Sequence, residues 1–364
     1  MLTAFTEGIG DPWLTRVAKR ETVSTDNMDI RTFARIAGVS TATVSRAFSG
    51  KGRIDPETRR TILALAQKQG FTPNIHARRL SSKESAMLGV FYSFNSEPVF
   101  DYYNMELAQE LSKAALQQGY STQLELTNSD ALQEQKLVQL AETEAIDGII
   151  LVVGGIDRAR ALLEKIRKCP CVVISNAPWP EASPVAGSVF IDFREGIAET
   201  IARLQQLGHE KIGYIRGLVD ETKHQAYLSA MKKAGLTTKA AWVEPGYKSF
   251  SDGERAAANL IDAGVTAIVC ATDILALGVM HAANQRGVRI PQDLSVVGMD
   301  DLALSAYTSP GLSSIGVPRQ QVGQVTVESL TRAIRDIRNN NARTSYFQTV
   351  HPRFVERGSV GPKS

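Results

Sequence analysis

From Leu88 onward, short runs of aliphatic and β-branched residues alternate with amphipathic stretches of helical period, and no other feature constrains the fold as much. The runs are LGVFYSF (88–94), STQLELT (121–127), DGIILVV (147–153), CVVIS (171–175), SVFID (188–192), KIGYIR (211–216), AWVEP (241–245), AIVCA (267–271) and LSVVGM (294–299). Such β–α repetition predicts parallel strands with helices packed on both faces. Nine strands are many for one sheet, and PWPEASPVAG (178–187) reads as a crossing between two lobes. The expected body spans 87–360.

Ahead of this body the period changes. Residues 1–27 show no sustained pattern and read as a poorly ordered extension, or as a start assigned upstream of Met28. Asp29 is placed to cap a helix whose Ile30, Phe33, Ala34 and Ala37 share a face. Gly38 permits a turn, and Ser40 caps a second helix with Val44, Ala47 and Phe48 facing inward. Asp55-Pro56-Glu57 opens a third helix, with Thr58, Ile62, Leu65 and Ala66 inward and Gly70 at its end. Three short helices over 28–73 make a helix–turn–helix headpiece whose core is too small for a typical enzyme. Residues 74–86 follow as a hinge and linker, in which IHARRLSS (75–82) is a helix too short to stand alone in water.

The net charge of +3 hides a segregation. Residues 28–88 hold 11 Lys and Arg against 4 Asp and Glu, whereas residues 89–364 carry a net −3. A basic head on a mildly acidic body is the electrostatic footprint of a nucleic-acid binder, although a solvated basic face produces similar runs. No stretch is apolar enough for a membrane span, no secretory signal is visible, and three cysteines suggest reduced thiols in a cytoplasmic protein.

The ordered set A-G-V-S-x-x-T-V-S-R (37–46), Phe71-x-Pro73-Asn74 and Ala77-Arg78-Arg79-Leu80 resembles the headpiece of the lactose/galactose repressor family. The body continues the resemblance. It carries Asp147-Gly148-Ile149-Ile150, Leu207-Gly208-His209-x-Lys211-Ile212, Asp273-x-x-Ala276-x-Gly278, Val296-Val297-Gly298-x-Asp300-Asp301, Leu312-Ser313-Ser314-Ile315 and Val317-Pro318. The resemblance covers about 28–360 and implies a small all-α headpiece on an α/β, two-lobed body like a periplasmic binding protein, with parallel sheets. It implies an N-lobe over about 87–187 and 318–345 and a C-lobe over about 188–317 and 346–360. It implies a bacterial repressor that binds double-stranded operator DNA as a homodimer, nucleoid-associated when bound, without cofactor or metal. A small effector in the interlobe cleft would misalign the hinges, and a corepressor of opposite sign would use the same parts.

The resemblance implies that Thr41, Ala42 and Arg46 read bases, with Arg46 suited to a bidentate contact to guanine. Ser40, Thr43 and Ser45 suit phosphate oxygens or helix capping. Asn74 and Arg78 belong to the same DNA-binding set, and Leu80 would wedge between base steps in the minor groove. Matching positions for the effector are Ser93, Phe100, Ser175, Lys223, Tyr247, Thr272, Asp273 and Asp300. Asp300 could take two sugar hydroxyls, Asp273 also reads as a helix cap, and Phe100 and Tyr247 could stack or serve as core. Lys223, Thr272 and Ser175 replace the arginine, asparagine and aspartate common in sugar-binding members, leaving a smaller sugar, a sugar phosphate or a nucleoside open.

Two rival classes fit less well. The chain has no P-loop, no strand-linked G-x-G-x-x-G and no G-x-S-x-G, and its five histidines are scattered. Asp300 and Asp301, as neighbours in extended chain, would point to opposite faces and so not act as an acid–base pair. A free solute-binding protein would need neither the basic headpiece nor the hinge. The tail after Gly358 lacks leucine heptads, so a dimer without a tetramerising coiled coil is expected.

Overall fold

A computed structural model describes residues 28–49, 53–71, 85–92, 102–125, 130–153, 156–166, 169–180, 186–218, 220–246, 249–341 and 345–363. The chain divides between Glu84 and Ser85 into two compact units.

The first unit contains α1 (Ile30–Ala37), α2 (Thr41–Ser49) and α3 (Pro56–Gln69). Local chemistry sets each boundary. The Asp29 carboxylate accepts from the Thr32 N–H at 2.7 Å, and Asp55 accepts from the Thr58 N–H at 2.9 Å. Gly38 closes α1 at φ 69°, in the left-handed region, and donates back to the Ala34 and Arg35 carbonyls. Phe33, Ala34, Ala37, Val44, Ala47, Ile62, Ala66 and Phe71 form the buried core, in which the Phe33 and Phe71 rings stack at 4.1 Å. Thr58 and Leu65 are half-buried at its rim.

The second unit holds two six-stranded sheets. The first has the order β11–β5–β4–β3–β1–β2, from β1 (Met87–Tyr92), β2 (Ser121–Glu125), β3 (Gly148–Val153), β4 (Cys171–Ser175), β5 (Gly187–Ile191) and β11 (Tyr346–Val350). The second has the order β12–β10–β9–β8–β6–β7, from β6 (Ile212–Arg216), β7 (Val243–Pro245), β8 (Ala267–Cys270), β9 (Ser295–Asp300), β10 (Ser313–Gly316) and β12 (Arg353–Val355). Every pairing is parallel except the antiparallel β10–β12.

Alternation along each strand sorts side chains to the two faces of the first sheet. Val90, Ile150, Val172 and Ile174 join Leu107 and Leu111 of α4 (Tyr102–Gln117) and Leu330 and Ile334 of α11 (Arg319–Arg338). Phe91, Ile149, Leu151 and Val173 pack instead with Leu137 and Leu140 of α5 (Asp130–Glu142) and Leu163 of α6 (Ile156–Leu163). In the second lobe α7 (Arg194–Gln206) packs with α8 (Glu221–Lys233), and α9 (Phe250–Asp262) with α10 (Asp273–Gln285).

The lobe boundaries differ from the sequence expectation. Segment 178–187 joins β4 to its parallel neighbour β5, and the crossing comes later, at Asp192-Phe193. Strand β11 likewise pairs with β5 in the first sheet, so its residues are not part of the second lobe. Proline and glycine signal a turn but do not say which sheet follows it. The chain crosses at 192–193, at 317–318 and at 351–352, and the Asp192 N–H donates to the Val350 carbonyl at 2.9 Å, binding the first crossing to the third. Among the described residues no helix is long and apolar enough to cross a membrane, and no cluster of side chains could hold a metal. Cys171 and Cys270 are buried and Cys169 is half-buried, all three as free thiols, and burial pushes the Cys169 thiol up to about 12.

Candidate nucleic-acid interface and effector cleft

The headpiece builds one exposed helical face. The Ser40 hydroxyl accepts from the Thr43 N–H at 3.1 Å and lies 2.9 Å from the Thr43 hydroxyl, so these two side chains cap α2. Thr41, Ala42, Ser45 and Arg46 are exposed on the same helix, while Val44 and Ala47 are buried beneath. Arg59 of α3 donates from Nε to the Ala47 carbonyl at 3.0 Å, which fixes the end of α2. The result is a short helix with small residues and free amides at its N-terminus and a cation one turn on, a shape that enters a major groove. Asn74, Arg78 and Leu80 lie outside the described residues, as does the hinge stretch 75–82.

In the body, each sheet repeats one strand order, with the first strand of the lobe between the second and third. Ligands in such sheets bind beyond the carboxyl ends of the strands, near the point where the order reverses. Ser175 ends β4, Thr272 follows β8, Asp300 ends β9, and Lys223 lies in the first turn of α8 after β6. Ser93, Phe100 and Tyr247 lie outside the described residues.

Lys223 is buried, and its ammonium donates to the Ala271 carbonyl at 2.9 Å and sits 4.3 Å from the centroid of the Phe193 ring. Nearby, Asp220 accepts from the Tyr214 hydroxyl through both oxygens, at 3.1 and 2.9 Å. Burial raises the Asp220 carboxyl above its ordinary range, and the Lys223 charge acts in the opposite direction. Asp220 and Phe193 were not singled out from the sequence; an acid three residues before Lys223 was the available signal for the first.

Like Lys223, three more of the expected effector residues bond within their own lobe. The Ser175 hydroxyl donates to the Ala177 carbonyl at 2.6 Å. The Thr272 hydroxyl accepts from the Leu275 N–H at 3.3 Å as the N-cap of α10. Asp273 is fully buried and accepts from the Leu302 N–H (2.7 Å), the Ser305 hydroxyl (2.6 Å) and the Ser314 hydroxyl (2.5 Å). Its carboxylate faces inward and ties α10 to the segment after β9 and to β10.

Asp300 is buried at the end of β9 with φ 109°, and Asp301 follows at φ 54°, so consecutive non-glycine residues occupy the positive-φ region. Arg319, at the start of α11, donates to the Asp300 carbonyl and to the Asp301 carbonyl, the latter at 2.7 Å. The second sheet's carboxyl edge thus carries a set of polar side chains and backbone groups.

The amino-acid sequence matches two family models in register with these units. Residues 29–74 match bacterial regulatory proteins of the lacI family, and residues 201–360 match a periplasmic binding protein-like domain. The chain is 31% identical over 315 residues to catabolite control protein A of Priestia megaterium, covering 84% of this chain and 92% of that protein. It is 29% identical over 337 residues to the ribose operon repressor of Haemophilus influenzae, covering 91% and 98%. The solved lac repressor dimer, bound to operator and an anti-inducer, superposes with a TM-score of 0.73 at 22% identity over 92% of this chain and all of that chain, which shows the fold. Both relatives are named for regulatory roles, one as a catabolite control protein and one as an operon repressor. With its capped helix–turn–helix and two-lobed body, the chain belongs to the lacI family of bacterial regulatory proteins and is a DNA-binding regulator of transcription.

Proposed function

We propose that the protein is a homodimeric repressor that leaves its operator when a sugar, sugar phosphate or nucleoside enters the cleft of the body. The exposed face of α2 carries this reading: Thr41, Ala42 and Arg46 stand clear of a core that uses only the opposite side. Thr41 and Ala42 meet base edges or a thymine methyl, Ser45 a phosphate, and Arg46 a guanine, a contact that contributes about 1–3 kcal/mol of discrimination. Asn74 and Arg78 add contacts near the hinge, and Leu80 wedges into the minor groove, where wider contact to bent DNA offsets the unstacking.

Lys223 and Asp300 face the effector, with Ser93, Phe100 and Tyr247 completing the cleft. A relative named ribose operon repressor supports a pentose-sized ligand. Lys223 presents a point charge where an arginine would present a planar fork, which favours a phosphate or a single hydroxyl over paired hydroxyls.

The test is a gel shift with a duplex selected from a random pool by the full-length protein. The logarithm of the binding constant falls linearly with that of salt concentration. Leu80→Ala weakens specific binding far more than non-specific binding, and Arg46→Ala relaxes selectivity at one base position. Equal losses for Leu80→Ala on both kinds of DNA refute the wedge, and no salt-sensitive specific complex refutes the operator reading. Ribose, ribose 5-phosphate and adenosine in the same assay, with melting curves alongside, identify the effector class by which one raises Tm and releases DNA.

A further inference from the structure

Glu106 on α4 and Arg319 at the start of α11 both belong to the first lobe, and each reaches a residue of the second. Oε1 accepts from the Ala303 backbone N–H of the second lobe at 3.0 Å. Oε2 meets the Arg319 guanidinium at 2.9 Å, and both side chains are largely shielded from water, at 26% and 17% exposure. Shielding matters because an exposed pair of this kind contributes little.

The same guanidinium holds the Asp300 and Asp301 carbonyls. Both residues hold positive φ, a conformation that is costly for a non-glycine residue and persists where its surroundings enforce it. The surroundings are explicit. The Asp301 N–H donates to the Ser314 hydroxyl oxygen at 3.0 Å, and that hydroxyl donates in turn to Asp273. The Asp301 carboxylate also pairs with Arg357 at 2.7 Å. A continuous polar path therefore runs from the buried Asp273, through the strained turn and Arg319, to the other lobe.

We infer that Glu106, Arg319 and the Asp300–Asp301 turn form an interlobe clasp that couples occupancy of the cleft to affinity for DNA. The coupling rests on the proposed role of Asp300 as an effector ligand. A ligand that draws on the Asp300 side chain acts on the residue whose carbonyl positions Arg319. Relaxing the turn redirects both carbonyls, Arg319 loses its seat, and Glu106 releases the second lobe. The strained turn is the two-state element that both sites bias.

The test uses full-length wild type, Glu106→Gln, Glu106→Ala, Arg319→Ala and the double Glu106→Ala, Arg319→Ala variant, all without ligand. Hydrogen exchange at the Ala303 amide reads the clasp directly. Glu106→Ala raises that exchange at least tenfold, and Glu106→Gln, which keeps an acceptor for Ala303, raises it less. Affinity for the duplex selected by wild type shifts at least fivefold in Glu106→Ala, within the usual range of allosteric coupling. The double variant shows no more than the larger single shift, since both substitutions open one contact. Melting curves for the partly exposed Glu106→Gln confirm that the fold persists. Unchanged exchange at Ala303 overturns the clasp, and raised exchange with unchanged DNA affinity overturns the coupling. Should wild type select no duplex, the repressor reading fails, while Ala303 exchange still decides whether the clasp exists.

Discussion

Asp273 is held by three donors drawn from Leu302, Ser305 and Ser314, and burial nevertheless pushes its carboxyl up to about 6. The folded chain therefore binds a proton between the ordinary carboxylate value and pH 6 that the unfolded chain releases. Stability from this group is full below about pH 3.8 and is lost as pH rises through about 6. Asp273→Asn removes that dependence and leaves a donor facing donors, at a cost of about 1–3 kcal/mol. Urea unfolding should show the gap between wild type and variant narrowing from pH 4.5 to pH 7. A gap that is constant or widens with pH contradicts the assignment. The motif around Asp273 was visible in the sequence, but its direction was not. A carboxylate after a strand can face a cleft or the core, and here two serines 32 and 41 residues downstream draw it inward. The placing of Lys223 after β6 and of Asp300 at the end of β9 was legible from the strand pattern; the contacts of Glu106 and Arg319 with the second lobe were not, because they join stretches that the sequence does not juxtapose.

Helices were easier to read than strands because their signals are local. The expected caps Asp29, Ser40 and Asp55 all accept from the backbone N–H three residues on, and Gly38 and Gly70 both adopt the left-handed conformation. Strands β10, β11 and β12 went unread: SSIG, YFQTV and RFV are short and polar or edge-exposed, so no alternation stands out. Gly278 shows how a motif residue acquires its meaning only in packing. It sits on α10 where α9 crosses, and a Cβ there would lie 2.1 Å from the Phe250 carbonyl oxygen. Backbone cannot yield as a flexible side chain does, so Gly278→Ala should separate the two helices and destabilise the body by about 3 kcal/mol or more. Denaturant titration checks this; a loss under about 0.5 kcal/mol, the range of neutral surface changes, would show that the helices do not approach so closely.

At the scale of the molecule, the alternation of strands and helices announced two parallel-sheet lobes, and the solved lac repressor dimer shares the fold. The assignment of β5 and β11 to the second lobe was wrong because a strand's partner is set by non-local pairing, which composition does not encode. Both lobes are assembled from separated stretches of chain, and the crossings at Asp192 and Val350 are bonded to one another. Neither lobe has a self-contained sequence, so the body should unfold in a single transition instead of lobe by lobe. Calorimetry of the full-length protein tests this, with the calorimetric and van't Hoff enthalpies of the body transition equal. Two resolved body transitions, each responding to substitutions in one lobe alone, would contradict it.

The last two strands along the described chain each seal one sheet, β11 beside β5 and β12 beside β10. Synthesis proceeds from the other end, and domains fold as they emerge from the ribosome. The three-helix headpiece is complete after about seventy residues, whereas both lobes wait for the final strands. During translation there is thus an interval in which the DNA-binding module exists without any sensor to govern it.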